Sequence, residues 1–208
     1  RGQTGQNALT LPALAVGSAN FASLDISASK NSPKTVYRMS GQNRAIYSSE
    51  NGSSTWSPIT NNVPSQYYTT ANDNWGQSSY DYYLEAVPMP GGYKDLLVVG
   101  QITVAAAIRN DTTGVWNWVD IGVTGTPGAK VHNDQHCIAW DTRDPQNMFF
   151  GHDGGVHQVA FDRRAAFGAG AFTFTNRSAN LKITQYYEGA WHPTVANTMI
   201  GGTQDNMS

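Results

Sequence analysis

Apolar residues fall in short runs along this chain, separated by clusters of Gly, Pro, Asn, Asp and Ser, with almost no helical spacing. That pattern predicts an all-β protein. The runs also repeat. Each unit has an alternating strand, a polar turn often holding a proline, a second apolar strand closing on glycine, and a polar loop. The first runs Ala22–Ile26, turns at Asn31-Ser32-Pro33 and continues through Thr35-Val36-Tyr37. The second runs Tyr82–Val87, turns at Pro90-Gly91-Gly92 and closes through Leu97–Gly100. The third runs His136–Trp140, turns at Arg143-Asp144-Pro145 and closes through Met148–Gly151. The fourth runs Tyr186–Trp191, turns at His192-Pro193 and closes through Met199–Gly201.

The closing glycines, Gly100, Gly151 and Gly201, recur about every 50 residues, a spacing that fits one four-stranded β-propeller blade per unit. The expected organisation is one partial propeller domain over residues 1–208, with blade-like units at about 20–60, 80–120, 134–176 and 184–208. The last unit has only its first two strands before Ser208, so the chain reads as part of a larger propeller.

Between the first two units stands Ser49-Glu50-Asn51-Gly52-Ser53-Ser54-Thr55-Trp56. This resembles the Asp-box, S-x-D-x-G-x-T-W, of sialidase-like and sortilin-like propellers. Ser49, Thr55 and Trp56 match in register, while Asn51 replaces the Asp and Ser53 the Gly. A weaker copy keeps Asp111 and Trp116, and the third unit, Phe161 to Phe174, has lost the box. The chemistry of such a box is local: a short Asx side chain caps a hairpin turn and the Trp packs between sheets. Asn51 is therefore expected to cap its own turn, and Trp56 and Trp116 to be largely buried. Asn51 and Asn110 also head N-x-S/T sequons, as do Asn176 and Asn206.

His132-Asn133-Asp134-Gln135-His136, followed by Asp141, Pro145, Gly151 and Asp153-Gly154-Gly155, resembles a segment of bacterial Asp-box repeat proteins. These belong to the sortilin-like and xyloglucanase-like group. Ile183-Thr184-Gln185-Tyr186-Tyr187 and Gly201-Gly202-Thr203-Gln204-Asp205-Asn206 are similar to that group's next blade. The resemblance covers roughly residues 20–206 and implies fold more than activity, since the group holds enzymes, receptors and assembly factors.

Composition narrows the setting. Of 208 residues 13% are charged, against about 25% in ordinary soluble domains. The polar surface must therefore come from Asn, Gln, Ser, Thr and Gly, as in extracellular all-β proteins. A secreted or cell-surface location is the expectation, and the resemblance implies a bacterial one. Net charge is −2 with no Lys/Arg run, which argues against a nucleic-acid partner. No apolar stretch is long enough to span a bilayer as a helix. The single cysteine, Cys137, cannot form an internal disulfide and reads as a small buried core residue.

Candidate chemistry gathers at one end of the units. All five histidines lie between His132 and His192. His132, Asp134 and His136 alternate, so a strand would put them on one face. Metal sites need three or four converging ligands, so a hydrogen-bonded structural cluster is the preferred reading and no metal or other cofactor is expected. The resemblance places Tyr80, Asp81, Asp134, His136, Gln185 and Tyr186 around the upper mouth of a channel, with Asp153 and Asp205 near them. That set suits recognition of a protein or carbohydrate partner, and suits turn bracing equally well. Asp153 and Asp134 are expected to accept backbone N–H bonds in their turns.

Three functions remain open. A non-catalytic extracellular module for binding, adhesion or assembly is preferred. A xyloglucanase-like glycoside hydrolase would need two opposed carboxylates across a cleft, with Asp81, Asp134 and Asp153 as candidates. A sortilin-like peptide receptor is the third, disfavoured by the lack of a following cysteine-rich region. A sialidase needs an arginine cluster, which Arg38, Arg44 and Arg109 do not supply.

Overall fold

A computed structural model describes residues 24–40, 46–59, 83–89, 95–110, 112–122, 131–181 and 186–203. The protein is all-β, with four antiparallel sheets. The first holds β1 (Leu24–Ala28), β2 (Val36–Ser40), β3 (Ile46–Ser49) and β4 (Ser57–Pro58), in chain order. The second holds β5 (Tyr83–Pro88), β6 (Asp95–Gly100), β7 (Val104–Arg109) and β8 (Trp116–Asp120). The third holds β9 (Gln135–Asp141), β10 (Asp144–His152), β11 (Gly155–Phe161) and β12 (Phe172–Asn176). A hairpin of β13 (Tyr186–Trp191) and β14 (Met199–Thr203) makes the fourth. Among the described residues no helix is long and apolar enough to cross a membrane.

The second sheet is buried on both faces, which is why β6 reads as the unbroken apolar run Leu96-Leu97-Val98-Val99. Leu97 and Val99 join Leu84, Ala86, Ala107 and Trp116 against Tyr37, Met39 and Ile46 of the first sheet. Leu96 and Val98 join Val87, Val104 and Ala106 against Met148, Phe150, Val159 and Phe172 of the third. Strands β1, β5 and β9, each the first of its sheet, also touch in succession. Glu85 on β5 spans that row, accepting from Trp140 Nε1 at 2.8 Å and from Ser27 Oγ at 3.4 Å. Asp95, 2% exposed, joins the first two sheets by accepting from Ser29 Oγ at 3.0 Å and Tyr37 Oη at 2.9 Å. Burial, then the Asp95 carboxylate, holds the Tyr37 phenol well above its ordinary pKa, so it stays a donor.

The first two units share one register. Tyr47 pairs with Pro58 and Ser48 with Ser57, which sets Ser49 opposite Trp56. Arg109 pairs with Trp116 in the same way. In the third unit Phe161 pairs with Phe172 across a longer connection that holds a short 3-10 turn at Ala169–Ala171.

Three expectations change. Cys137 is exposed, on the face of the third sheet opposite Met148 and Phe150, where Phe149 is also exposed. An apolar-leaning run did not reveal which of its faces would be covered. The turn expected at Arg143-Asp144-Pro145 is shorter, because Asp144 already pairs with Asp141; a bulge between Asp144 and Met148 absorbs the proline. Trp56 is half-buried rather than enclosed between sheets, since it lies on the first sheet's outer face.

Candidate functional site

The third sheet's first strand begins beside the turn joining its second and third strands. His152 pairs with Gln135, and Asp153 N–H donates to Asp134 O at 3.2 Å. The second sheet reaches the same place. Asp134 N–H donates to Ile102 O at 2.9 Å and Gln135 N–H to Gln101 O at 2.8 Å. Asp134 sits at φ +61°, a left-handed conformation that an Asp tolerates better than most residues. That kink lies just before β9, so the simple alternation of His132, Asp134 and His136 on one strand does not hold. Gln135 is fully buried and donates from Nε2 to His132 O at 2.6 Å.

Four histidines and Asp153 assemble on this frame. His136 Nε2 lies 2.5 Å from Asp153 Oδ1, tying β9 to the β10–β11 turn. The Asp153 carboxylate therefore does not cap its own turn as expected. His152 Nδ1 does that, accepting the Gly154 N–H at 3.1 Å. An accepting Nδ1 fixes the neutral tautomer of His152 with its proton on Nε2. That proton points at His157 Nδ1, 2.7 Å away, so the bonds run one way, from Gly154 through His152 to His157. His132 stacks on His152 with ring centroids 6.1 Å apart.

Protonating His152 would break this chain at Gly154. Burial, then the facing His157 and His132, lowers its pKa from 6.5 to about 4, while Asp153 pulls weakly the other way. Burial also lowers His157. The unfolded chain protonates His152 near 6.5 and the folded one only near 4, and His157 shifts in the same direction. Stability is thus fully present above the unfolded value and declines as pH falls through that interval. Thermal unfolding between pH 7 and pH 4 should show a falling Tm, and His152→Gln should flatten the slope. An unchanged slope would mean that the histidine chain does not bear on folding.

A second polar arrangement sits at the Ser49–Trp56 turn. Asn51 Oδ1 accepts from Thr55 N–H at 2.9 Å and Ser49 Oγ at 3.0 Å, and its Nδ2 donates to Thr55 Oγ1 at 2.8 Å. Ser49 Oγ accepts the Ser53 N–H at 2.9 Å. Ser53 has φ +66°, which explains why a glycine suits that place. In the second unit Asn110 Oδ1 accepts from Thr112 and Thr113 N–H at 2.9 and 3.0 Å. Glu50 of the first turn pairs with Arg109 beside the second.

The end of the third sheet thus brings together Asp134, His136 and Asp153. Tyr80, Asp81, Gln185, Asp205 and the weaker copy's Asp111 lie outside the described residues, and of Tyr186 only the backbone is described, pairing with Thr203. Sequence reasoning did not single out His157. The one available signal was its place two residues beyond the Gly154-Gly155 turn, which puts it within reach of His152 across the hairpin. Among the described residues no group of three or more His, Cys, Asp or Glu side chains could hold a metal ion. No family model matches this chain, and neither a curated protein nor a solved structure matches it.

Proposed function

We propose that this chain is a non-catalytic binding module, its sheets serving as blades of an extracellular β-propeller with Asp-box-type turns. The shared register of the first two units and the succession of first strands β1, β5 and β9 support the blade reading. The low charge content supports a secreted or cell-surface setting. The ligand face is the end that carries Asp134, His136 and Asp153, and the partner is a protein or a carbohydrate.

One observation carries the non-catalytic reading: the Asp153 carboxylate is bound to His136. A glycosidase pair would instead oppose two carboxylates across an open groove, about 6.5–9.5 Å apart in the inverting case. The test incubates the chain with xyloglucan oligosaccharides and assays both binding and new reducing ends. No reducing ends should form, and Asp153→Asn should lower Tm by loosening the β9 attachment. Turnover that is abolished by Asp134→Asn or Asp153→Asn, with Tm intact, would replace this reading with the hydrolase.

A further inference from the structure

Side chains alternate along β2. Tyr37 and Met39 enter the core shared with the second sheet, so Arg38 between them projects to the opposite face. Tyr47 pairs with Arg38 across β3, and Trp56 stands two residues before Pro58, the partner of Tyr47. All three side chains therefore share that outer face. The Arg38 guanidinium carbon lies 4.7 Å from the Tyr47 ring centroid and 4.5 Å from that of Trp56. Arg38 is 4% exposed. Its Nε and the indole Nε1 of Trp56 are both buried, and neither has a hydrogen-bond partner.

Stacking on aromatic rings satisfies the faces of a guanidinium but leaves its edge needing acceptors. A buried cation with no counter-charge among the described residues, beside a second orphaned donor, is a costly arrangement that an anion would relieve. The shared register shows how specific the departure is. Arg38, Tyr47 and Trp56 correspond to Leu97, Ala107 and Trp116 of the second sheet, where Leu97 and Ala107 also pair across strands. Those three positions make a purely apolar contact with the first sheet. In the first unit the same positions hold a cation, its aromatic platform and an indole donor.

We propose that Arg38, Tyr47 and Trp56 form a carboxylate-binding site on the outer face of the first sheet. The edge of the guanidinium takes the carboxylate oxygens, and Trp56 Nε1 supplies a further donor. A monoanion matches the one cation that the described residues place on this face, because Arg109, at the neighbouring turn, already pairs with Glu50. The carboxylate comes either from a small organic acid or from an acidic side chain of another polypeptide.

The test follows the indole N–H resonance of Trp56, assigned by its loss in Trp56→Phe. Sodium acetate replaces sodium chloride at constant ionic strength and neutral pH. A peptide with blocked ends and a single glutamate forms the second arm. Acetate should shift the Trp56 resonance saturably. Arg38→Lys, which keeps charge but loses the planar fork, should weaken binding about tenfold or more. Arg38→Met, checked for folding by circular dichroism, should abolish it; if it fails to fold, the Lys variant decides. Binding of the peptide as well as acetate assigns the source to an acidic side chain, and acetate alone assigns a small organic acid. No shift with either probe, or a shift unchanged in Arg38→Lys, would overturn the site.

Discussion

Replacing Trp116 by alanine is expected to cost about 3–5 kcal/mol of folding stability, the transfer loss of a large aromatic plus the cavity it leaves. Trp116 is 7% exposed and meets Tyr37 edge-on, ring centroids 5.9 Å apart, in the core between the first two sheets. Tyr37 in turn donates to the buried Asp95, so the cavity would border a hydrogen-bonded carboxylate. Collapse of the site around the cavity is thereby limited, which favours the upper part of that range. The same change at Trp56 removes a half-buried ring and should cost about 1–2 kcal/mol. Denaturant unfolding of both variants measures the contrast. Equal losses would show that the two tryptophans, alike in sequence, are also alike in burial, against the placement of Trp56 on an outer face.

That contrast marks how far the sequence could be read. The all-β character and the antiparallel pairing of first with second strands were legible, because period-two alternation and Gly/Pro punctuation are local signals. Which faces would be covered was not. Trp56 and Trp116 occupy the same register position, yet among the described residues only Trp116 has another sheet's core against it. Cys137 failed for the same reason, since the alternating run around it does not say that the far side of the third sheet faces solvent. At the candidate site, His136 and Asp153 were visible as residues but not as partners. Their contact spans from the start of β9 to the β10–β11 turn, which only the sheet pairing brings together. Arg38 gave no signal at all, for a lone arginine in a strand ordinarily reads as a solvated side chain.

Gly100, the first of the closing glycines, is held by packing, and that yields the second large effect. Gly100 pairs with Tyr83, Gly151 with Cys137 and Gly201 with Gly189, each opposite a residue of its sheet's first strand. A Cβ on Gly100 would overlap the Tyr83 ring and stand 2.9 Å from Gln135 Cβ. Tyr83 is 6% exposed and Gln135 fully buried, so neither can yield. Gly100→Ala should thus overpack the start of β5 and β9, costing about 1–3 kcal/mol or more. A Cβ on Gly151 meets Cys137 Sγ at 2.6 Å, but Cys137 is exposed and can rotate away. Gly151→Ala should therefore be much milder. Adding Tyr83→Leu to Gly100→Ala separates crowding from a backbone requirement. If the ring is the obstacle, the double variant loses less than the sum of the two single changes. Full additivity would place the cost in the backbone of β6 instead, and would remove the packing explanation for the periodic glycine.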